Sequence, residues 1–164
     1  MESAFHALLV KHRATGILVD TNLLLLLVVG DYDSRRVSSF KRTSQFTARD
    51  FELLKRTTTL FSKLWTTPNI LTEVDNLGRQ LKQNEWDAFA SALRALAVNM
   101  AEFAVPSAQV VRDARFSKIG LSDTTTVLNP GKPLLLTDDL RLHAFAQKAG
   151  IDAINFNHLR MFEK

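Results

Sequence analysis

The chain has no cysteine among its 164 residues. Disulfides, thiolate nucleophiles, iron-sulfur clusters and cysteine-ligated zinc are therefore excluded by composition, and any metal must be held by oxygen or by histidine. Glycine is sparse as well, at positions 16, 30, 78, 120, 131 and 150. That spacing forms neither GxGxxG nor a P-loop, so no glycine-rich backbone cradle for phosphates is present. A GxSxG nucleophile elbow is also missing. Long hydrophobic runs are lacking too, the longest being the seven residues Leu23 to Val29, against the roughly 18 to 20 that a membrane span requires. The start, MESAFHALLVKHRATG, opens with an acid and places Lys11, His12 and Arg13 after a short apolar stretch, the wrong order for a secretory signal. It reads as a first helix, and the expectation is a cytoplasmic protein with no membrane partner.

What is present suits one globular domain over residues 1–164, with 46% hydrophobic and 23% charged content. The formal charge is +4, from 21 basic and 17 acidic residues. If four carboxylates belong to one metal site, 13 acids remain against 21 bases, and the rest of the surface carries +8. Such a division suits a phosphate-bearing partner.

Along the chain, short apolar strands alternate with helices. Ile17 to Val19 stops at Asp20-Thr21-Asn22, three good helix caps, before the buried helix of Leu23 to Val29. Residues 31–45 (DYDSRRVSSFKRTSQ) are polar and read as a loop. Thr47 with Asp50 resembles a capping box for a helix to about Leu60. Lys63 to Thr66 is a second strand, and Thr67-Pro68 starts a helix that carries Glu73 in its second turn. From Asn84, the spacing of Trp86, Phe89, Leu93, Leu96, Met100 and Phe103 predicts one apolar helical face ended by Pro106, and Ser107 to Phe116 can form another helix. Leu134 to Leu136 is a third strand after the Asn129-Pro130-Gly131 turn, Thr137 to Ala149 is helical, Gly150 caps it, and Asp152 to Asn155 is a fourth strand. The expected class is a three-layer α/β/α, Rossmann-like fold around a short parallel sheet of about four to five strands.

In an open parallel sheet, ligands bind beyond the carboxyl ends of the strands. The acids gather there: Asp20 follows the first strand, Glu73 the second by a few residues, Asp138 and Asp139 the third, and Asp123 opens a helix in GLSDTTTV. Singly, each has an ordinary explanation, since acids cap helix starts and favour the helix dipole. Together they would repel one another unless a cation neutralised them. Mg²⁺ or Mn²⁺ prefers carboxylate and water oxygens, and such ions can activate water for phosphodiester hydrolysis. A phosphatase of the haloacid-dehalogenase type is excluded, because its DxDx[TV] motif finds Asn22 and Leu24 at its later positions.

VDTN after an apolar strand, a proline-led helix with ILTEV, GLSD, and LLTDDLRL before a glycine and a last strand together resemble the PIN domain, in order and spacing, over nearly the whole chain. The resemblance implies a metal-dependent endoribonuclease that uses Mg²⁺ or Mn²⁺ and leaves 5′-phosphate and 3′-hydroxyl ends. It makes Asp20, Glu73, Asp123 and Asp139 the catalytic and metal-binding acids, with Asp138 a substitute or supporting metal ligand. Thr21 or Asn22 would help orient the first acid, Asp20, and Thr137 would lie near the site as a further orienting residue. Its toxin branch implies a small antitoxin as partner; the other uses are RNA processing or defence, and an inert PIN-like module binding RNA or protein is the alternative. Two features depart from the pattern. Thr124, Thr125 and Thr126 are weak helix formers after Asp123, and residues 31–45 make a basic insertion longer than compact toxins carry.

That insertion supplies the candidate RNA contacts Arg35, Arg36, Lys41 and Arg42. With Phe40, Phe46 and Phe51 interleaved, the segment could track phosphates and stack bases; the alternative is a solvated face with core phenylalanines. His143 follows the TDD turn by one helical turn, but a packing histidine suits it better. His158 and Arg160 have no assigned role. The weakly charged helix 84–104 offers a second face for a homodimer, and a wholly intramolecular core explains it equally well.

Overall fold

The computed structural model describes residues 2–162. In chain order the elements are α1 (Glu2–His12), β1 (Ile17–Val19), α2 (Thr21–Asp33), α3 (Ala48–Thr59), β2 (Leu64–Thr66), α4 (Pro68–Gly78), α5 (Gln83–Ala97), β3 (Ala101–Glu102), α6 (Ser107–Val110), α7 (Phe116–Val127), β4 (Leu134–Thr137), α8 (Leu140–Lys148), β5 (Ala153–Asn155) and α9 (Phe156–Phe162). Five parallel strands in the order β3-β2-β1-β4-β5 form the central sheet, with helices packed on it to give three layers.

β1 lies in the middle because it is apolar on both faces: Ile17, Leu18 and Val19 are all buried. It pairs with β2 through Ile17 and Leu64, and with β4 through Val19 and Leu136. The chain adds β2 and β3 on one side of β1, then β4 and β5 on the other. That reversal leaves a crevice between β1 and β4, the place where such sheets bind ligands.

α2 starts where Asp20 accepts a hydrogen bond from the Leu23 N–H at 2.9 Å. Leu23 to Gly30 are buried on every side, as expected for a helix enclosed by others, here α3, α4 and α5. Each leucine so buried contributes about 2 kcal/mol through removal from water. The Thr47–Asp50 capping box opens α3, Thr67 caps α4 ahead of Pro68, and Gly150 has the left-handed φ of +71° that ends α8. Among the described residues no helix is long and apolar enough to cross a membrane.

Three segments differ from the sequence expectation. The helix from residue 84 stops at Ala97, and the chain then turns into β3, where Ala101 and Glu102 pair with Trp65 and Thr66. Met100 and Phe103 thus lie beyond the helix whose spacing they continue. Residues 107–116 form only one helical turn, α6, before Asp113 captures the N–H of Arg115 at 2.9 Å and redirects the chain.

The third difference is the segment 31–45. α2 runs on to Asp33, Ser34–Arg36 makes a 3-10 turn, and Val37, Phe40, Thr43 and Phe46 are buried. The Thr43 hydroxyl donates to the Val37 carbonyl at 2.7 Å, which closes the segment on itself. Phe40, Phe46 and Phe51 all belong to the core, so none of the three is an exposed platform for stacking bases.

Candidate active site

The carboxyl ends of β1 and β4 bring Asp20, Thr137 and Asp138 together. Asp20 is 9% exposed, and each of its oxygens is held. Oδ1 accepts the Leu23 N–H, while Oδ2 accepts the Thr137 hydroxyl and, at 3.1 Å, the Asp138 N–H. Its own N–H donates to the Leu136 carbonyl at 3.2 Å, continuing the ladder between the strands.

Burial first, and the Asp138 carboxylate second, push the Asp20 pKa up to about 8 against these three hydrogen bonds. The cost of a charge at this position is thus larger than its local donors repay. A nearby cation would reverse the balance.

Asp138 is oriented by two amides. Asn22 Nδ2 donates to its Oδ1 at 3.1 Å, and Gln45 Nε2 donates to its Oδ2 at 2.9 Å. Asn22 comes from the first turn of α2 and Gln45 from the segment before α3. Thr137 does double duty, because its hydroxyl oxygen also accepts the Asp139 N–H at 3.0 Å.

A second group of acids stands beside the first. Glu73 on α4 accepts a 2.5 Å hydrogen bond from the Thr21 hydroxyl, so adjacent residues of α2 hold two different acids, Glu73 and Asp138. Asp123 follows Gly120, whose φ of +80° kinks α7 and lets a fresh helical turn begin just before it. Burial first, then the facing Asp139 and Glu73 carboxylates, raise the Asp123 pKa to about 6, with Arg141 opposing. Asp139 caps α8, its Oδ1 accepting the Arg141 and Leu142 N–H groups at 2.6 and 3.1 Å. Beside Glu73, Pro68, Thr72, Leu121 and Ser122 line a hollow of about 260 Å³.

All five sequence-selected acids therefore occupy one end of the sheet, divided into a pair, buried Asp20 with half-buried Asp138, and a trio, half-buried Asp123 with exposed Glu73 and Asp139. Contrary to expectation, neither Thr21 nor Asn22 donates to Asp20: Thr21 reaches Glu73 on α4, Asn22 reaches Asp138, and the side chain that donates to Asp20 is Thr137. The donor set, carboxylates whose neighbours help to raise the pKa of Asp20 and of Asp123, fits a hard divalent cation. The acids are spread rather than caged: among the described residues no three acidic or histidine side chains stand close enough to hold one ion. Magnesium is commonly bound by one or two carboxylates plus water, which such a spread set can supply.

The basic residues of the segment 31–45 are less directly placed. Arg35 pairs with Asp33 at 2.9 Å, Arg36 with Glu85 at 2.5 Å, and Arg42 donates to Gln80 Oε1 at 2.7 Å, while Lys41 is exposed. Gln45, at the end of the same segment, is the residue that reaches the acids. His143 stands edge to face with His158, ring centroids 5.9 Å apart, and burial first, with His158 next, lowers its pKa. Sequence reading missed Gln45, Asn157 and Arg141. Only Arg141, two residues past Asp139 in TDDLR, carried a local signal.

No family model, curated protein or solved structure matches the chain.

Proposed function

We propose that the protein is a PIN-like, Mg²⁺- or Mn²⁺-dependent endoribonuclease with RNA as its substrate, acting in the cytoplasm. The observation that carries this reading is the gathering of Asp20, Asp138, Glu73, Asp123 and Asp139 at the switch point of the sheet, with Asp20 buried and held by three donors; the raised pKa of Asp20 and of Asp123 accords with it. Arg141 only partly offsets the acids facing Asp123, and the charge left over suits a site built around cations.

In this reading each residue has a task. Asp20 is the fixed acid, immobilised by the Leu23 N–H, the Thr137 hydroxyl and the Asp138 N–H. Asp138, turned by Asn22 and Gln45, would hold the cation together with it. Glu73, Asp123 and Asp139 form the open side, where Asp123, with its pKa near 6, is suited to taking a proton from the attacking water. Bound Mg²⁺ or Mn²⁺ supplies acidification of that water and charge for the departing 3′ oxygen. The products are a 5′-phosphate and a 3′-hydroxyl. The hollow beside Glu73 gives the sugar-phosphate chain a place to lie.

The placing of Asp138 changes the order of the acids. The resemblance favours Asp139 as the fourth acid, yet Asp138 faces Asp20 and takes two side-chain amides, whereas Asp139 faces Asp123. Both serve, one in each group.

The spread of the acids supports a second reading, an inert PIN-like module that binds RNA or protein. Incubating purified protein with mixed RNAs, with Mn²⁺ or Mg²⁺ and with chelator, separates the two. The nuclease reading expects cleavage only with metal, and the module expects none on any RNA. Growth arrest on expression, relieved by a neighbouring gene product, would place the enzyme among toxins held by a small antitoxin. A homodimer through α5 is tested by the mass in solution.

A further inference from the structure

Arg160, near the end of α9, makes four hydrogen bonds. Its Nε and Nη2 grip Asp50 at 2.8 and 2.9 Å in a two-pronged pair. Nη2 also donates to the Gln45 backbone carbonyl at 3.2 Å, and Nη1 to Asn157 Oδ1 at 3.0 Å. The guanidinium lies over the Phe46 ring, 5.5 Å from its centroid.

Besides Asp50, the residues that it holds are the two that reach Asp138 from this side. Gln45 Nε2 donates to Asp138 Oδ2 at 2.9 Å, and Asn157 Nδ2 donates to the Asp138 carbonyl at 3.3 Å. An amide has one acceptor end and one donor end. With Oδ1 of Asn157 committed to Arg160, its Nδ2 must point the other way, toward Asp138. The Asn157 N–H is fixed in turn by Asn155 Oδ1 at 2.9 Å. One planar fork thus anchors the backbone of Gln45 and orients the side-chain amide of Asn157, and these two residues grip the side chain and the backbone of the same acid.

We infer that Arg160 is a positioning residue for the active site, acting on Asp138 through Gln45 and Asn157, with Asp50 as its anchor. Its catalytic meaning rests on the nuclease reading of the acids. An ion pair that served folding alone would need Asp50 and Arg160 only. The additional bonds to Gln45 and Asn157 give the pair a direction, from the C-terminal helix to the metal-facing acid. Lysine could keep the charge but not the fork, because an ammonium presents no planar set of donors matched to a carboxylate and two carbonyls at once.

The test compares wild type with Arg160→Gln, Arg160→Lys and Asn157→Ala, each held well below its melting temperature. Asn157→Ala leaves the Arg160–Asp50 pair intact, and so separates positioning from folding. Three readouts are taken: the side-chain amide signals of Gln45 and Asn157 in metal-free protein by NMR, Mn²⁺ affinity by calorimetry, and steady-state cleavage of a labelled RNA. Removal of a residue that orients a metal ligand commonly costs tenfold or more. The expected result is that both arginine variants lose the distinct amide signals of the wild type. All three variants bind Mn²⁺ about tenfold more weakly and turn over about tenfold more slowly, with KM for RNA unchanged.

Variants that lose only melting temperature, with amide signals, Mn²⁺ affinity and turnover intact, would overturn the inference while leaving the nuclease reading in place. A wild type that neither binds Mn²⁺ nor cleaves RNA would overturn both.

Discussion

The backbone N–H of Asp138 donates to Oδ2 of Asp20 at 3.1 Å, across 118 residues of sequence. The acid at the end of β1 is thereby locked to the turn that follows β4, and the Thr137 hydroxyl completes the lock by donating to the same oxygen. The Thr137 hydroxyl is also the acceptor for Asp139 N–H. A single hydroxyl therefore sets both strand-end acids. Thr137→Val keeps the shape of the side chain and removes both bonds. It should cost about 1–3 kcal/mol of stability in urea unfolding, the range for leaving buried partners unsatisfied, and should depress RNA cleavage more than Thr137→Ser does. Equal cleavage by the valine and serine variants would show that the hydroxyl has no role in setting Asp20.

The Thr21–Glu73 hydrogen bond joins α2 to α4 at a solvent-facing position. Its loss should therefore matter more for activity than for folding. Thr21→Val is expected to change stability by no more than about 0.5 kcal/mol, as surface substitutions usually do, while lowering turnover. A chemical melt and a cleavage rate measured on one preparation check both parts. A variant with normal turnover would remove Glu73 orientation from the account.

Packing of α2 against α3 depends on Gly30. A Cβ placed there would lie 2.1 Å from Phe51 Cδ2, far inside contact distance. Phe51 is itself buried, so it has little room to retreat. Gly30→Ala should destabilise the fold by about 1–3 kcal/mol, the usual cost of overpacking, despite the better helix propensity of alanine. A melting temperature equal to or above that of wild type would contradict this contact.

Asp50 supplies a pH dependence distant from the strand-end acids. Burial pulls its pKa up, but hydrogen bonds from Arg160 and from Thr47 outweigh that and hold it below the ordinary value of 3.8. A carboxyl with a lowered folded pKa adds stability above its unfolded pKa and loses it as the pH falls through the folded one. The stability gap between wild type and Asp50→Asn should therefore be constant above about pH 5 and shrink below about pH 4. Urea unfolding across that range measures it, and a gap that widened on acidification would have the wrong sign.

Much of the site could be read from the sequence because its parts carry local signals. Asp20-Thr21-Asn22 directly follows an apolar triplet, Thr67-Pro68 marks the start of α4, and Thr137-Asp138-Asp139 follows the run of leucines in β4. Those signals place acids at strand ends without knowledge of the neighbours. β3 had none. It is two residues long, it continues a helix-like spacing, and it exists only because Trp65 and Thr66 offer an edge for Ala101 and Glu102 to join. The segment 31–45 misled through its charges, since its polar residues conceal the anchors Phe40 and Phe46. Gln45 and Arg160 lie 93 and 110 residues from Asp138 and Asp50, the partners they hold, so nothing local joined them to the site. Division of the acids into a pair and a trio likewise depends on where α4 and α7 meet, which no spacing encodes.

In the nuclease reading, cleavage depends on Asp20 before any other acid. Wild type and Asp20→Asn, purified in parallel and matched for melting temperature and concentration, should be incubated with the same mixed RNAs in Mn²⁺, in Mg²⁺ and in chelator, with the ends of the products identified. Asparagine keeps the size of the side chain and removes the charge that would hold a cation. The expected result is metal-dependent cleavage by wild type, giving 5′-phosphate ends, and none by Asp20→Asn under any condition. Equal cleavage by the two proteins, or cleavage by wild type that persists in chelator, would contradict a metal-dependent nuclease built on this acid.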